Sequence, residues 1–282
     1  MRSFLVLTCR LPAENEDRLT QLLEELPVLG CQVEDARPDI VVSIFFDSGH
    51  EEALTALSGE LLLLDAREMV TGPFADRDWL EAYRRHAKPM AVGERIWLDP
   101  NPVTPTPPPE GRLHLLIEPR NAFGTGSHES TRLLLEVLDR LDLTGLRVLD
   151  VGCGSGILAL AACGLGAAGA IGFDIDLEAV FVARQTVAVQ PRPLPVRLFA
   201  GSVEAIANHN EFDLILANLI PAEVTPFLAN LAGLLAQRGK LVLSGLMADQ
   251  RQAVESDLRG YGLRVEKAFE IEEWVALQCV PA

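Results

Sequence analysis

The hydrophobic pattern of residues 1–70 alternates between the periods of strands and helices. Four apolar runs have the length and composition of β-strands: FLVLTCR, LGCQVED, DIVVSIFF and ELLLLD. Apolar residues at helical spacing predict one helix over residues 14–26 and another near residues 50–58. The resulting order, βαββαβ, predicts a small ferredoxin-like α+β domain over residues 1–70.

The pattern changes after this domain. In DRDWLEAYRRH the spacing of Trp79, Leu80 and Tyr83 predicts a helix with one apolar side, and we assign residues 71–88 to a linker helix. KPMAVGERIWLDP then predicts a short pair of strands or an extended segment. Six prolines follow in PNPVTPTPPP, residues 100–109, which we interpret as a surface loop because proline lacks a backbone donor. A ligand for proline-recognising modules is the alternative interpretation of this loop.

From residue 113 the chain alternates apolar strands with amphipathic helices. The predicted strands are LHLLIEP, LRVLDVG, AAGAIGFDID, LPVRLFAG, FDLILANL and GKLVLSGL. The predicted helices cover residues 128–141, 222–236 and 248–260, and two more begin near residues 155 and 177. Strands of this kind are buried on both faces, which predicts a doubly wound parallel sheet of the Rossmann-like α/β class over residues 89–282. The last two strands are joined by a short polar turn near Glu270, so we expect a terminal antiparallel hairpin.

Composition then narrows the possible classes of protein. The formal charge of −16 is spread along the chain, and phosphate binding needs clustered Lys and Arg, so direct nucleic-acid binding is not expected. The five cysteines form no CxxC pair and are odd in number, which indicates neither a zinc site nor a disulfide framework. No stretch has the length of a membrane span or the form of a signal peptide. We therefore expect a soluble, cytoplasmic protein without a bound metal.

The turn VLDVGCGSGILAL, residues 148–160, carries the most specific chemical signal. Gly152, Gly154 and Gly156 follow a buried strand and lead into a helix, which is the place where a doubly wound sheet binds a nucleotide-like ligand. A dinucleotide fingerprint needs its third glycine at position 157, which is Ile157. This spacing argues against a nicotinamide oxidoreductase. It resembles the first motif of class I S-adenosylmethionine-dependent methyltransferases.

Polar side chains also end the neighbouring strands. Asp174 ends GFDID, where a carboxylate can accept hydrogen bonds from both ribose hydroxyls, whereas Asp176 is better placed to cap the next helix. Asn218 ends FDLILAN and would present an amide at the methyl end of a cofactor; bonding to local backbone is the alternative. The glycine-rich loop at residues 122–131 enters a helix whose N-terminus suits a carboxylate.

Other catalytic classes lack their motifs. Ser155 does not lie in a GxSxG sequence, no GxxxxGK[ST] P-loop occurs, and none of the five histidines forms HExxH. The sequence thus favours a cofactor-dependent transferase over a serine hydrolase, a P-loop nucleotidase or a zinc peptidase.

Together these motifs resemble one family. FGTGSHEST, VLDVGCGSGILALAA with LGA, GFDID, ILANLIPAEV, GKLVLSGLMADQ and EEWVAL are similar to the bacterial ribosomal protein lysine methyltransferases of the PrmA type, and the similarity covers residues 76–279. The resemblance implies a substrate-recognition domain, a linker helix and a catalytic domain that binds S-adenosyl-L-methionine. It further implies methyl transfer to lysine amines, and possible transfer to the N-terminal amine, of large-subunit ribosomal protein eleven.

Carried onto this sequence, the resemblance implies a set of site residues. Cofactor contacts are expected from Thr131, Gly152, Gly154, Gly156, Asp174, Ser202 and Asn218, with Val203 near the adenine. We expect Asn218 Oδ1 and the carbonyl of Leu219 to accept hydrogen bonds from the substrate amine as the catalytic pair. A substrate loop is expected from Phe123, Gly124, Thr125, Gly126 and His128. For His128, packing or local bonding at the helix start is the alternative to accepting a proton.

Two other functions stay open at this point. The same fold could methylate another protein lysine or a small molecule, because the first domain matches the family only in its pattern. The chain could also bind the cofactor as an assembly protein without catalysis, although the complete set of Thr131, Gly152, Asp174 and Asn218 argues against that.

Overall fold

The computed structural model describes residues 3–24, 26, 28, 30–47, 51–75, 88–118, 128–206 and 212–282. The chain divides into two compact units, Met1–Arg85 and His86–Ala282. Within the described ranges, no helix combines the length and apolar character needed to cross a bilayer.

The first unit is a four-stranded sheet with two helices. Its elements are β1 (Ser3–Pro12), α1 (Glu16–Glu24), β2 (Gly30–Ala36), β3 (Asp39–Asp47), α2 (Glu51–Leu63) and β4 (Arg67–Ala75). The strands are arranged in the order β2-β3-β1-β4, and every neighbouring pair is antiparallel. This order confirms the predicted ferredoxin-like βαββαβ unit.

The predicted strand ELLLLD is wrong, because these residues end α2 and form the turn after it. Leu57, Leu61 and Leu64 are buried at helical spacing, whereas Leu62 and Leu63 are 59% and 74% exposed. A helix buries only one face, so a run of four leucines at its end is not evidence for a strand.

The last strand of the first unit also lies later than predicted. β4 runs to Ala75, so residues 71–75, which the sequence pattern places in the linker helix, are strand, and the boundary predicted at residue 70 falls inside β4. Residues 76–87, which carry the rest of the predicted linker helix, lie outside the described residues.

The second unit begins with a small sheet of its own. It contains β5 (Met90–Val92), β6 (Ile96–Asp99) and β7 (Leu113–Leu116). β5 pairs with β6 antiparallel, as the sequence indicates, and β6 pairs with β7 in parallel. The strand predicted at LHLLIEP therefore exists but does not join the large sheet.

The large sheet has seven strands. They are β8 (Arg147–Val151), β9 (Gly169–Asp174), β10 (Val196–Ala200), β11 (Phe212–Asn218), β12 (Leu235–Met247), β13 (Leu263–Ile271) and β14 (Trp274–Pro281). Their order is β10-β9-β8-β11-β12-β14-β13. The first five strands are parallel to one another, and β14 is antiparallel to both of its neighbours, β12 and β13. This topology confirms the doubly wound sheet with a terminal antiparallel hairpin.

The helices of the second unit connect these strands. They are α3 (Glu129–Arg140), α4 (Ile157–Gly164), α5 (Leu177–Ala188), α6 (Pro221–Val224), α7 (Leu228–Leu234) and α8 (Arg251–Gly260). The single helix predicted over residues 222–236 is divided by a 3-10 turn, Thr225–Phe227, because Pro226 interrupts the α-helical hydrogen bonds. Buried apolar residues pack on both faces of the sheet. The carboxyl ends of β8 to β12 consequently share one edge of the domain.

Candidate active site

The glycine turn after β8 has a backbone conformation that favours glycine at three positions. Gly152, Gly154 and Gly156 have φ angles of +64°, +50° and +79°, a region that side chains with a Cβ rarely adopt. The backbone N–H of Cys153 donates to the carbonyl of Phe173 at 2.9 Å, which fixes the turn against the end of β9. All three glycines are therefore required by backbone conformation at the carboxyl edge of the sheet.

The two acids of GFDID do different things. Asp174 accepts hydrogen bonds from the N–H of Gly154 through Oδ2 and from the N–H of Asp176 through Oδ1, both at 3.0 Å. Asp176 Oδ1 accepts from the N–H of Glu178 at 2.8 Å and caps α5, as the sequence indicates. Asp174 is half-buried and lies beside the glycine turn. Because Asp176 caps α5, helix capping does not account for the carboxylate at position 174.

Asp150 lies beneath the same turn and is not among the residues expected from the sequence. Its side chain is fully buried; Oδ2 accepts from the N–H of Ala159 at 3.0 Å, and Oδ1 has no partner among the described residues. Burial raises the pKa of Asp150 to about 7, and the neighbouring charge of Asp174 contributes to the rise. Asp150 thus links β8 to the first turn of α4 and holds a proton more strongly than an ordinary carboxyl group does.

This pKa predicts an unusual pH dependence of stability. Because the folded-state pKa is raised above the unfolded value, the stabilisation is complete below pH ~4 and is lost as the pH rises through about 7. In urea unfolding, Asp150→Asn should gain stability relative to the unsubstituted protein between pH 5 and pH 8, by at most about 3 kcal/mol. A difference between the two proteins that does not change with pH would contradict the assignment.

Asp142→Asn is the matched control for that experiment. Hydrogen bonds from the Thr144 side chain and backbone lower the pKa of Asp142, which has the opposite sign. Its contribution is present above its unfolded pKa and is lost only as the pH falls below ~4. The stability difference between Asp142→Asn and the unsubstituted protein should therefore be constant between pH 5 and pH 8.

Asn218 and Thr131 meet at the end of β11. Asn218 Nδ2 donates to Thr131 Oγ1 at 2.9 Å, and Thr131 lies buried in the first turn of α3. This bond orients the amide, because Nδ2 faces Thr131 and Oδ1 is directed elsewhere. Asn218 Oδ1 is buried and has no hydrogen-bond partner among the described residues. The structure thus holds an acceptor in a fixed orientation without a donor from the described part of the chain.

Leu219 is held between two glycines. A Cβ at Gly152 would lie 2.7 Å from Leu219 Cδ2, and a Cβ at Gly245 would lie 2.6 Å from the carbonyl oxygen of Leu219. The Leu219 N–H donates to the carbonyl of Ser244 at 3.1 Å. Gly245 has a φ angle of +86°, and the pairing of β12 with β14 shifts register between Leu243 and Leu246. This bulge in β12 lets its backbone lie against the carbonyl that we expect to bind the substrate amine.

His128 occupies the N-cap of α3. Its Nδ1 accepts from the N–H of Ser130 at 3.3 Å and lies 2.8 Å from the Ser130 hydroxyl. The ring also packs edge-on against Trp274, with centroids 4.8 Å apart. These contacts agree with local bonding, which is the alternative to a proton-accepting role.

The remaining expected residues divide into three groups. Ser202 follows β10, and its hydroxyl hydrogen-bonds Glu204 and lowers the pKa of that carboxyl. The side chain of Val203, a residue expected near the adenine, is only 2% exposed and packs in the apolar core, so its backbone would have to make that contact. Residues 123–126 of the expected substrate loop lie outside the described residues.

Among the described residues, no cluster of His, Cys, Asp and Glu could hold a metal ion.

Two of the residues that sequence reasoning misses leave signals in the sequence. Asp150 is a charged residue within the apolar strand RVLDV, where burial demands a partner or a raised pKa. Gly245 interrupts the apolar run of β12, and a glycine inside a strand indicates a bulge or a close approach of backbone. Both signals indicate a special position, but neither identifies the contact.

Known proteins similar to this chain share one description. Residues 3–281 match the family model described as ribosomal protein L11 methyltransferase (PrmA). A ribosomal protein L11 methyltransferase of Pelobacter propionicus is 33% identical over 97% of this chain and 96% of its own length. One of Pseudomonas aeruginosa is 36% identical over 79% of this chain and 75% of its own length.

A solved structure is also similar. The ribosomal protein L11 methylase of Lactobacillus delbrueckii subsp. bulgaricus is 26% identical, with a TM-score of 0.63 over 69% of this chain and 99% of that one. The family model spans both compact units, and the topology of the large sheet is that of class I methyltransferases. The chain therefore belongs to the ribosomal protein L11 methyltransferase (PrmA) family of S-adenosyl-L-methionine-dependent methyltransferases.

Proposed function

We propose that this chain transfers methyl groups from S-adenosyl-L-methionine to lysine amines, and to the N-terminal amine, of ribosomal protein L11 in the cytoplasm. The observation that carries the residue assignment is the buried, unpartnered Oδ1 of Asn218 among the described residues. A buried acceptor without a donor costs about 1–3 kcal/mol, so such an atom indicates that a ligand supplies the donor. An amine of the substrate is a donor of the required kind.

The residues at the carboxyl edge fit the cofactor. Gly152, Gly154 and Gly156 form the turn where the methionine portion would lie, and Asp174 can accept hydrogen bonds from ribose hydroxyls. Ile175, which is 82% exposed directly after Asp174, offers an apolar surface for the adenine ring. When bound, S-adenosyl-L-methionine supplies a methyl group that its sulfonium already activates.

The chemical task left to the protein concerns the protonation and orientation of the amine. A lysine amine with pKa ~10.4 is neutral in only ~0.04% of molecules at pH 7, and only the neutral form is a nucleophile. A neutral primary amine has two N–H donors, so Asn218 Oδ1 and the carbonyl of Leu219 can satisfy both. Two uncharged acceptors then direct the lone pair without a general base. Thr131 keeps the amide of Asn218 in the orientation that this requires.

The two units would have different roles, substrate recognition and catalysis. The ferredoxin-like unit, residues 1–75 in the observed strand boundaries, would recognise the protein substrate, and residues 89–282 would hold the cofactor and the catalytic pair. The loop at residues 123–126, together with His128, would contact the substrate. These assignments follow the family resemblance and the position of His128 at the start of α3.

The test is methyl transfer to a defined substrate. The purified protein is incubated with isotopically labelled S-adenosyl-L-methionine and recombinant ribosomal protein L11, and the intact mass of L11 is measured. We expect mass gains of one methylene at a time, and no gain on L11 whose amines have been acetylated. A bacterial lysate depleted of small molecules is tested in parallel. If another protein of that lysate is labelled and L11 is not, the assignment of L11 as the substrate is overturned. Cofactor binding without any labelling would overturn the transfer itself.

A further inference from the structure

A second site lies in the catalytic unit, apart from the proposed active site. A cavity of about 620 Å³ is lined by Arg95, Arg112, Arg192 and His114, and by apolar residues that include Leu113 and Leu165. No Asp or Glu is among its described lining residues. In a chain with a formal charge of −16, this cavity concentrates positive charge.

The cavity and the glycine turn lie at opposite ends of α4. That helix begins at Ile157, directly after the glycine turn at the carboxyl edge of the sheet, and it ends at Gly164, which lines the cavity. A Cβ at Gly164 would lie 2.5 Å from Leu113 Cδ2, so the start of β7 packs directly against this helix end. A ligand in the cavity would therefore not compete with the cofactor.

Hydrogen bonds to backbone carbonyls hold the arginines in place. Arg112 Nη1 donates to the carbonyls of Gly93 and Ile96 at 3.0 and 2.9 Å. Arg192 Nη2 donates to the carbonyl of Gly164 at 3.0 Å. These bonds restrict the side chains before any ligand arrives, which lowers the entropy lost on binding.

The charges of two arginines are not balanced by described carboxylates. Arg95 Nε lies 3.7 Å from Asp139 Oδ1, whereas neither Arg112 nor Arg192 forms an ion pair within the described part of the chain. A guanidinium has five N–H donors, and the bonds to carbonyls use one terminal nitrogen of each. The other nitrogens of these two arginines are available for a planar anionic group.

The proline-rich loop precedes the wall of this cavity along the chain. Asp99, which is fully buried at the end of β6, accepts from the N–H of Asn101 at 2.9 Å and from the N–H of Thr106 at 2.6 Å. It also lies 3.4 Å from His114 Nε2. The loop is thereby tied to the small sheet, and its end leads through Gly111 to Arg112 at the wall of the cavity.

We propose that this cavity binds a small organic anion, with a phosphate or carboxylate group on Arg112 and Arg192 and an apolar body against Leu113 and Leu165. The volume lies within the range of about 300–1,000 Å³ that is usual for small-molecule sites. Guanidinium groups bind both phosphate and carboxylate through paired hydrogen bonds. The structure assigns the class of ligand by this combination of fixed cations and apolar wall.

The test uses three probes that share one ring. Phenyl phosphate, phenylacetate and uncharged phenol are titrated into the full chain by calorimetry, with S-adenosylhomocysteine present at saturation so that the cofactor site is occupied. We expect at least one of the two anions to bind, more weakly as salt increases, and phenol not to bind. The anion that binds with the higher affinity shows whether the natural ligand carries a phosphate or a carboxylate group. Absence of binding by both anions at millimolar concentration would overturn the proposal.

Variants locate the binding in the cavity. Combined Arg112→Gln and Arg192→Gln should weaken binding of the anion by at least about tenfold. Arg184→Gln is the matched control, because Arg184 also donates to a backbone carbonyl, that of Leu198 at 3.2 Å, but does not line the cavity. Equal binding by the double variant would overturn the assignment. If the double variant does not fold, NMR of the His114 ring in the unsubstituted protein locates the binding instead. Ring resonances that do not shift when the anion is added would overturn the assignment of binding to this cavity.

Discussion

Replacement of Asn218 by alanine is expected to lower kcat for methyl transfer by about 10²–10³-fold. The substitution removes the buried Oδ1 that we assign to the substrate amine, an interaction whose geometry matters most when the amine attacks. Binding of S-adenosylhomocysteine, measured by calorimetry, should change far less, because the glycine turn and Asp174 are untouched. Full turnover by Asn218→Ala with unchanged cofactor affinity would contradict the assignment.

Two further variants separate the acceptor from its orientation. Asn218→Asp keeps an oxygen but adds a negative charge, which favours the ammonium form, so the pH at which activity is half-maximal should rise. Thr131→Val removes the oxygen that accepts from Asn218 Nδ2, and it should lower kcat by more than Thr131→Ser, which keeps that oxygen. Equal kcat for the valine and serine variants would show that Thr131 does not position the amide.

Gly245→Ala is expected to lower kcat by about 10²-fold. The new Cβ would lie 2.6 Å from the carbonyl oxygen of Leu219 and 2.8 Å from its carbonyl carbon, so this carbonyl must move. If that oxygen binds the amine, a displacement on the order of 1 Å misaligns the reacting atoms. Steady-state kinetics with ribosomal protein L11 should show the loss in kcat rather than in the KM for the cofactor.

Gly262→Ala is the matched control for this substitution. Gly262 has a φ angle of +74°, close to the +86° of Gly245, but no described atom lies within 4 Å of the position that a Cβ would occupy there. It therefore carries the strain of the left-handed conformation alone, about 1 kcal/mol, and should keep its kcat. If Gly245→Ala and Gly262→Ala lose similar stability and both keep full kcat, the Leu219 carbonyl has no role in positioning the amine.

Much of the fold can be predicted from the sequence, because apolar residues recur at the spacing expected of strands and helices. Alternating strands and helices after residue 113 predict the doubly wound sheet, and the spacing of Gly152, Gly154 and Gly156 distinguishes it from a dinucleotide-binding sheet. The spacing of apolar residues does not indicate which sheet a strand joins. It therefore places β7 in the large sheet, whereas β7 belongs to the small sheet with β5 and β6. Nor does an apolar run state its conformation, which is why ELLLLD resembles a strand although it ends a helix.

The contacts within the candidate site are less accessible, because they join distant parts of the chain. Thr131 and Asn218 are 87 positions apart, and only tertiary packing shows that one orients the other. Gly245 matters through the backbone of Leu219, a contact that no local pattern encodes. Sequence reasoning thus identifies residue types suited to the chemistry, whereas their mutual orientation comes from the packing of strands β11 and β12 against α3.

The position of β14 between β12 and β13 has a consequence for synthesis of the chain. β13 is made first, yet it pairs only with β14 among the described strands, so it has no place in the sheet until β14 has been made. Until then β12 remains an open edge with unpaired backbone groups, which other chains can extend. The earlier strands can assemble from β8 onward as they emerge, whereas the hairpin must form as a unit before it docks. Slow formation of this hairpin would therefore be the step at which the nascent protein is most exposed to aggregation.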